Sequence, residues 1–75
     1  MNLHDQSFLR DVGDRIRDLR AHRKLTQAQL ADACQLHRTF IGSVERGERN
    51  ISILNLRLLA KKLRVPLSEI LAGLV

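Results

Sequence analysis

TQAQLADACQLHRTFIGSVER, from Thr26 to Arg46, holds two short helical patterns with almost nothing between them. Thr26 is followed three residues later by Gln29. At that spacing a hydroxyl and an amide satisfy each other's unpaired N–H groups at a helix start. Leu30, Ala31 and Cys34 then recur at helical intervals and predict one inward face. A further helix is predicted to begin near His37, with Ile41 and Val44 turned inward. Gly47 follows as a residue free to take positive φ past a helix end. Only Gln35 to His37 separate the two helices. So short a turn sets them at a steep angle instead of laying them antiparallel.

Outward from this pair the chain continues helical. Before it, Leu9, Val12, Ile16 and Leu19 step by three and four and predict a helix from about Phe8 to His22, with Ser7 or Asp5 as its N-cap. The opposite face mixes Asp11, Asp14, Arg15, Arg17 and Asp18, the pattern of a solvated surface. After it, Ser52 opens a fourth helix with Ile53, Leu56, Leu59, Ala60 and Leu63 apolar. Pro66 precedes a short fifth helix carrying Leu67, Ile70, Leu71 and Leu74. No strand-like alternation, repeat or linker interrupts the series, so residues 1–75 read as one all-α, five-helix domain.

Composition narrows the partner. Among 75 residues, Lys and Arg number 13 against 8 Asp and Glu, a formal net charge of +5 that favours an anionic partner. The aromatic residues are Phe8 and Phe40 alone, so the core is aliphatic. The sole cysteine, Cys34, has no internal disulfide partner, which fits a reducing compartment. The N-terminal stretch carries acid and no apolar h-region, and no apolar run approaches the roughly 20 residues of a membrane span. These features predict a cytoplasmic protein. The first helix interleaves Asp with Arg, which argues against a membrane-surface helix. His4, His22 and His37 fall in separate segments. Without a Ser/His/Asp arrangement, Gly-rich phosphate loop or zinc ligand set, neither an enzyme nor a metal or cofactor site is expected.

The steeply angled pair, spanning about residues 26–46, is a helix-turn-helix. In that motif the second helix enters the DNA major groove while the first crosses the phosphate backbone. Its second helix is expected to expose Arg38, Thr39, Gly42, Ser43 and Arg46. Arg bonds guanine O6 and N7 together, and Thr bonds a base edge or touches a thymine methyl. Gly42 would let the backbone approach DNA closely. His37 is read as a helix-start residue beside the DNA. Phe40 either packs on sugars or a thymine methyl, or caps a surface seam. Gln27 sits where a phosphate would meet the unpaired amides of a helix start, and Arg49 and Asn50 lie in the loop just past Gly47.

The stretch from Gly13 to Leu71 resembles the lambda-repressor/Cro-type helix-turn-helix family, also called the XRE family. The resemblance rests on Ile16-Arg17-x-Leu19-Arg20, Leu25-Thr26-Gln27-x-x-Leu30-Ala31, Ile41-x-x-Val44-Glu45-x-Gly47 and Val65-Pro66-Leu67-x-x-Ile70-Leu71. Within the family, the runs from His37 to Ile41 and from Glu45 to Asn50 are most similar to the controller proteins of bacterial restriction–modification systems. Those are small dimers that bind operator DNA and switch between activation and repression. The resemblance implies base reading by Arg38 and Thr39 and entry of Arg49 into the minor groove. It implies backbone contacts from Gln27, Arg46, Asn50 and Asn55. It also implies an internal ion pair between Arg20 and Glu45. The sequence departs from the family pattern at Lys24, Gln35 and Gly42. Lys24 and Gln35 stand where the family prefers glycine, so both are expected near left-handed φ, each at about 1–2 kcal/mol. Gly42 replaces a polar residue, which leaves the operator sequence open.

One recognition helix reads few bases, so a homodimer on a pseudo-palindromic operator of double-stranded DNA is expected, with dimerisation in the segment of about 53–75. Leu67, Ile70, Leu71, Leu74 and Val75 exceed what one short helix buries, or else they cap the monomer core. Operator placement just upstream of a promoter would recruit RNA polymerase. No small-molecule effector is expected. Two alternatives stay open: the antitoxin of a toxin–antitoxin pair, and a helix-turn-helix domain used only for protein interaction.

Overall fold

The computed structural model describes residues 2–74. Its five helices are α1 (Leu3–His22), α2 (Gln27–Cys34), α3 (Arg38–Glu45), α4 (Ile53–Leu63) and α5 (Leu67–Leu71). No strand is present among the described residues.

α1 begins five residues before the position that the apolar stripe indicated. Asn2, not Ser7 or Asp5, is the N-cap, and its Oδ1 accepts from the Asp5 N–H at 2.8 Å. The extra turn covers no core, and Leu3 is 81% exposed. It forms because a cap satisfies its first amides and because Asp5 suits the positive end of the helix dipole. At α2 the reciprocal cap is complete: Gln29 N–H donates to Thr26 Oγ1 at 3.0 Å, and Thr26 N–H donates to Gln29 Oε1 at 2.8 Å. Ser52 caps α4 by accepting from Asn55 N–H at 3.1 Å.

Four helices end through a left-handed residue, at Lys24, Gln35, Gly47 and Arg64. That conformation swings the next N–H back onto a carbonyl five residues earlier: Leu25 to Arg20, Leu36 to Ala31, Glu48 to Ser43, Val65 to Ala60. Lys24 (φ 59°) and Gln35 (φ 56°) thus take the left-handed conformation expected of them, and Arg64 (φ 60°) adds a third non-glycine case. At Gly47 the absence of a side chain serves packing as well. A Cβ there would lie 2.7 Å from Arg10 Cα, so the α3–α4 loop rests directly on the α1 backbone.

The core joins Val12 and Ile16 of α1, Leu30, Ala31 and Cys34 of α2, and Ile41 and Val44 of α3 to Leu56, Leu59, Ala60, Leu63 and Ile70. Burial pushes the Cys34 thiol pKa upward. Ile53 is 62% exposed and Leu54 63%. One expectation is corrected. Ile70 is fully buried in the core and is not available to a partner subunit. Leu67, Leu71 and Leu74 are half-buried against the same core, and Val75 lies outside the described residues. Arg15 closes the C-terminal end by donating to the carbonyls of Glu69 and Ala72, groups that a helix end leaves unpaired.

Candidate nucleic-acid interface

The site is built on a buried ion pair. Glu45, at the end of α3, is 2% exposed. Arg20 of α1 grips it with two teeth, Nε to Oε2 at 2.6 Å and Nη2 to Oε1 at 3.0 Å. The remaining Arg20 nitrogen, Nη1, donates to the Leu25 carbonyl at 2.7 Å. Gln27 of α2 donates its Nε2 to Glu45 Oε1 at 3.1 Å. One carboxylate therefore ties α1, α2 and α3 together with its acceptor positions filled, the condition under which a buried charge is tolerated. The hydrogen bond to Glu45 raises the Arg20 pKa.

Gly13 brings α1 equally close to the end of α3. A Cβ at Gly13 would stand 2.5 Å from the carbonyl oxygens of both Val44 and Glu45. The end of α3 is therefore packed against α1, and only its first two residues stand clear. His37, Arg38 and Thr39 are exposed, whereas Ile41 to Glu45 are buried without interruption.

The reading face is narrower than expected. Ser43 does not face solvent; it is 9% exposed. Its hydroxyl donates to the Phe40 carbonyl at 2.7 Å and accepts from Arg49 Nε at 3.2 Å. Ser43 thus holds Arg49 in place, and its hydroxyl has no hydrogen left to offer a base. Gly42 is buried too, covered by Arg46 Nη1 at 3.1 Å and Gln27 Oε1 at 3.4 Å from where a Cβ would stand. Phe40 is half-buried against the core, and the Arg49 guanidinium lies over its ring at 5.3 Å. The side-chain Nε2 of Gln27 is engaged by Glu45, and its backbone N–H, at the start of α2, is among those a helix leaves without an intrahelical partner.

Arg46, Arg49 and Asn50 are exposed around the α3–α4 loop. Arg46 forks onto Glu48, with Nε to Oε2 at 3.0 Å and Nη2 to Oε1 at 3.1 Å. That hydrogen bonding holds the Glu48 carboxyl below its ordinary pKa. Asn50 borders a shallow cleft with Asp5, Phe8 and Leu9. Asn55 is half-buried in a second cleft on α4, lined also by Leu54, Arg57, Leu58 and Lys61. The cations Arg57 and Lys61 were not singled out from the sequence. Their spacing of four places the two cations on one helix face.

A helix-turn-helix family model matches residues 16–70. The chain belongs to the helix-turn-helix family. Family members with this architecture include the control protein C.SmaI of Serratia marcescens, 43% identical over 60 residues that span 80% of this chain and 71% of that protein. The control protein C.BamHI of Bacillus amyloliquefaciens is 38% identical, over 79% of this chain and 74% of its own. Among solved structures, the restriction-modification controller protein C.AhdI from Aeromonas hydrophila superimposes with a TM-score of 0.81 at 40% identity. That match covers 83% of this chain and 94% of the controller protein. The matched segment contains both α2 and α3, and the start of α3 is exposed. Among the described residues no helix is long and apolar enough to cross a membrane.

Proposed function

We propose that this helix-turn-helix protein is a sequence-specific transcription regulator of cytoplasmic DNA, acting as a restriction–modification controller. One observation carries the proposal: Arg38 and Thr39 stand exposed at the start of a helix whose other end is locked by a buried, fully satisfied ion pair. A rigid helix with a bare polar tip suits the major groove, and the likeness to control proteins names the setting. Arg38 and Thr39 read base edges. Arg49, braced by Phe40 and Ser43, reaches the neighbouring minor groove. The backbone N–H of Gln27, together with His37, Arg46, Asn50 and Asn55, holds phosphates and sets register.

Two copies on a two-fold axis place two α3 helices one helical turn apart, roughly 34–36 Å. The exposed Ile53 and Leu54, with the half-buried Leu67, Leu71 and Leu74, supply the apolar surface for a homodimer. An operator upstream of a promoter would let the bound dimer meet RNA polymerase, and one overlapping the promoter would repress.

Selection of bound duplexes from a random pool, with stoichiometry measured by light scattering, tests this reading. The expected result is an inverted repeat bound by two copies. Arg38→Ala should relax preference at one position in each half-site, at a cost of about 1–3 kcal/mol. Recovery of no preferred sequence, or equal weakening by Arg38→Ala on every sequence, would refute it.

A further inference from the structure

The first two turns of α1, residues 3–10, lie outside both the core and the matched helix-turn-helix segment of residues 16–70. They nevertheless fold as helix from Leu3. Gln6, Arg10 and Gly13 follow one another at spacings of four and three, so they share one face of α1. That face meets the end of α3: Gly13 abuts the carbonyls of Val44 and Glu45, and the Arg10 backbone abuts Gly47. One turn further out, Gln6 and Arg10 face Arg46 and Glu48 across an open cleft of about 500 Å³. Glu48 is the single carboxylate lining it, and Glu48 is already forked onto Arg46. Among the described residues no carboxylate lies within ion-pair distance of Arg10.

We propose that this cleft between the N-terminal half of α1 and the α3–α4 loop takes a backbone phosphate of the bound duplex, with Arg10 as a DNA contact outside the helix-turn-helix and Glu48 as the carboxylate that the phosphate displaces. The proposal rests on the DNA-binding reading above.

Three observations converge. The cleft holds two guanidiniums against one carboxylate, which leaves an excess positive charge in the site. The two-toothed grip of Arg46 on Glu48 is the geometry that guanidinium also offers phosphate, so exchanging one anion for the other needs no rebuilding of Arg46. The cleft also adjoins the motif's own phosphate-facing side, because Arg46 Nη1 reaches over Gly42 toward Gln27 at the start of α2. Gln6 adds an amide donor to the same anion. In the free protein Glu48 screens Arg46, and on DNA a phosphate with Arg10 as a second cation replaces it.

The test measures operator affinity as a function of salt for the full chain and three variants. Arg10→Ala should make the slope of log K against log [salt] shallower by about one, and Arg10→Lys should restore it. Glu48→Gln should tighten binding several-fold and steepen the slope. Methylphosphonate replacement, one phosphate at a time, should then find a position in each half-site where neutralisation weakens the wild type but leaves Arg10→Ala unaffected. Arg10 and Glu48 are both exposed, so thermal unfolding should be unchanged in all three variants. An unchanged slope in Arg10→Ala, no tightening in Glu48→Gln, or equal sensitivity of wild type and Arg10→Ala at every phosphate would overturn the inference. A wild type that binds its operator with normal salt dependence while Arg10 is inert sinks only this inference. A wild type without salt-dependent binding sinks the DNA-binding reading beneath it.

Discussion

Gly13→Ala sets two physical effects against each other. Gly13 sits inside α1, where replacing glycine with alanine ordinarily stabilises a helix by about 1 kcal/mol. A methyl at this position, however, would stand 2.5 Å from the carbonyl oxygens of Val44 and Glu45. That is roughly 1 Å inside the separation at which heavy atoms attract. Both obstacles are backbone, so no side-chain rotation relieves them, and α3 itself must back away. Overpacking of this kind costs about 1–3 kcal/mol, against which the propensity gain is the smaller effect. The net expectation is a loss of about 1–2 kcal/mol, read as a fall of about 5–15 °C in Tm for a domain of this size. Retreat of α3 also shifts Arg38 and Thr39, so operator affinity should fall at temperatures where far-UV circular dichroism still reports full helix. A Tm equal to or above that of the wild type would show that the contact between α1 and α3 is not as drawn.

Three further outcomes follow from the same packing. Glu45→Ala leaves the Arg20 guanidinium without its carboxylate and should cost about 3 kcal/mol in urea unfolding, the lower part of the range for broken buried pairs because Arg20 keeps some solvent access. Replacing both partners together, Arg20→Met with Glu45→Leu, should recover most of that loss, and a double variant as unstable as the single one would contradict the ion-pair account. Gln35→Gly removes a side chain from a left-handed position and should raise stability by about 0.5–1 kcal/mol, while Gln35→Ala should not; equal effects from both would show that φ is not the cause. Leu54→Asp places a charge on the exposed first turn of α4 and should shift sedimentation equilibrium toward monomer with Tm nearly unchanged at low concentration, whereas an unaltered association constant would move the dimer surface elsewhere.

The sequence carried the helix count and the steep pair because each depends on local spacing. Thr26 with Gln29, Ile41 with Val44, and Gly47 after them act within one or two turns. Lys24 and Gln35 were legible as left-handed residues because the family that the sequence resembles prefers glycine there, yet Arg64, which does the same at the end of α4, carried no comparable cue. The early start of α1 escaped notice because periodicity registers buried faces, and residues 3–7 bury none. Ser43 was misassigned for a tertiary reason. Its helical phase suits the outer face, but Arg49, from the loop beyond α3, folds back onto its hydroxyl, as Arg46 and Gln27 fold over the neighbouring Gly42. Ile70 was misassigned in the opposite sense, since five apolar residues near the C-terminus read as surplus until α1 and α4 are known to enclose one of them. Arg10 was invisible for want of a motif, because the residues that face it across the cleft, Arg46 to Glu48, are 36 or more residues away in the chain.

The two ends of α3 divide the labour of the molecule. The anchoring carboxylate lies at the last residue, the solvent-facing tip at the first two, and hardly a side chain serves both ends. Substitutions at positions 38 and 39 therefore leave the scaffold's energy almost untouched. A lineage carrying this domain is free to drift toward new target sequences one tip residue at a time, without passing through an unfolded intermediate.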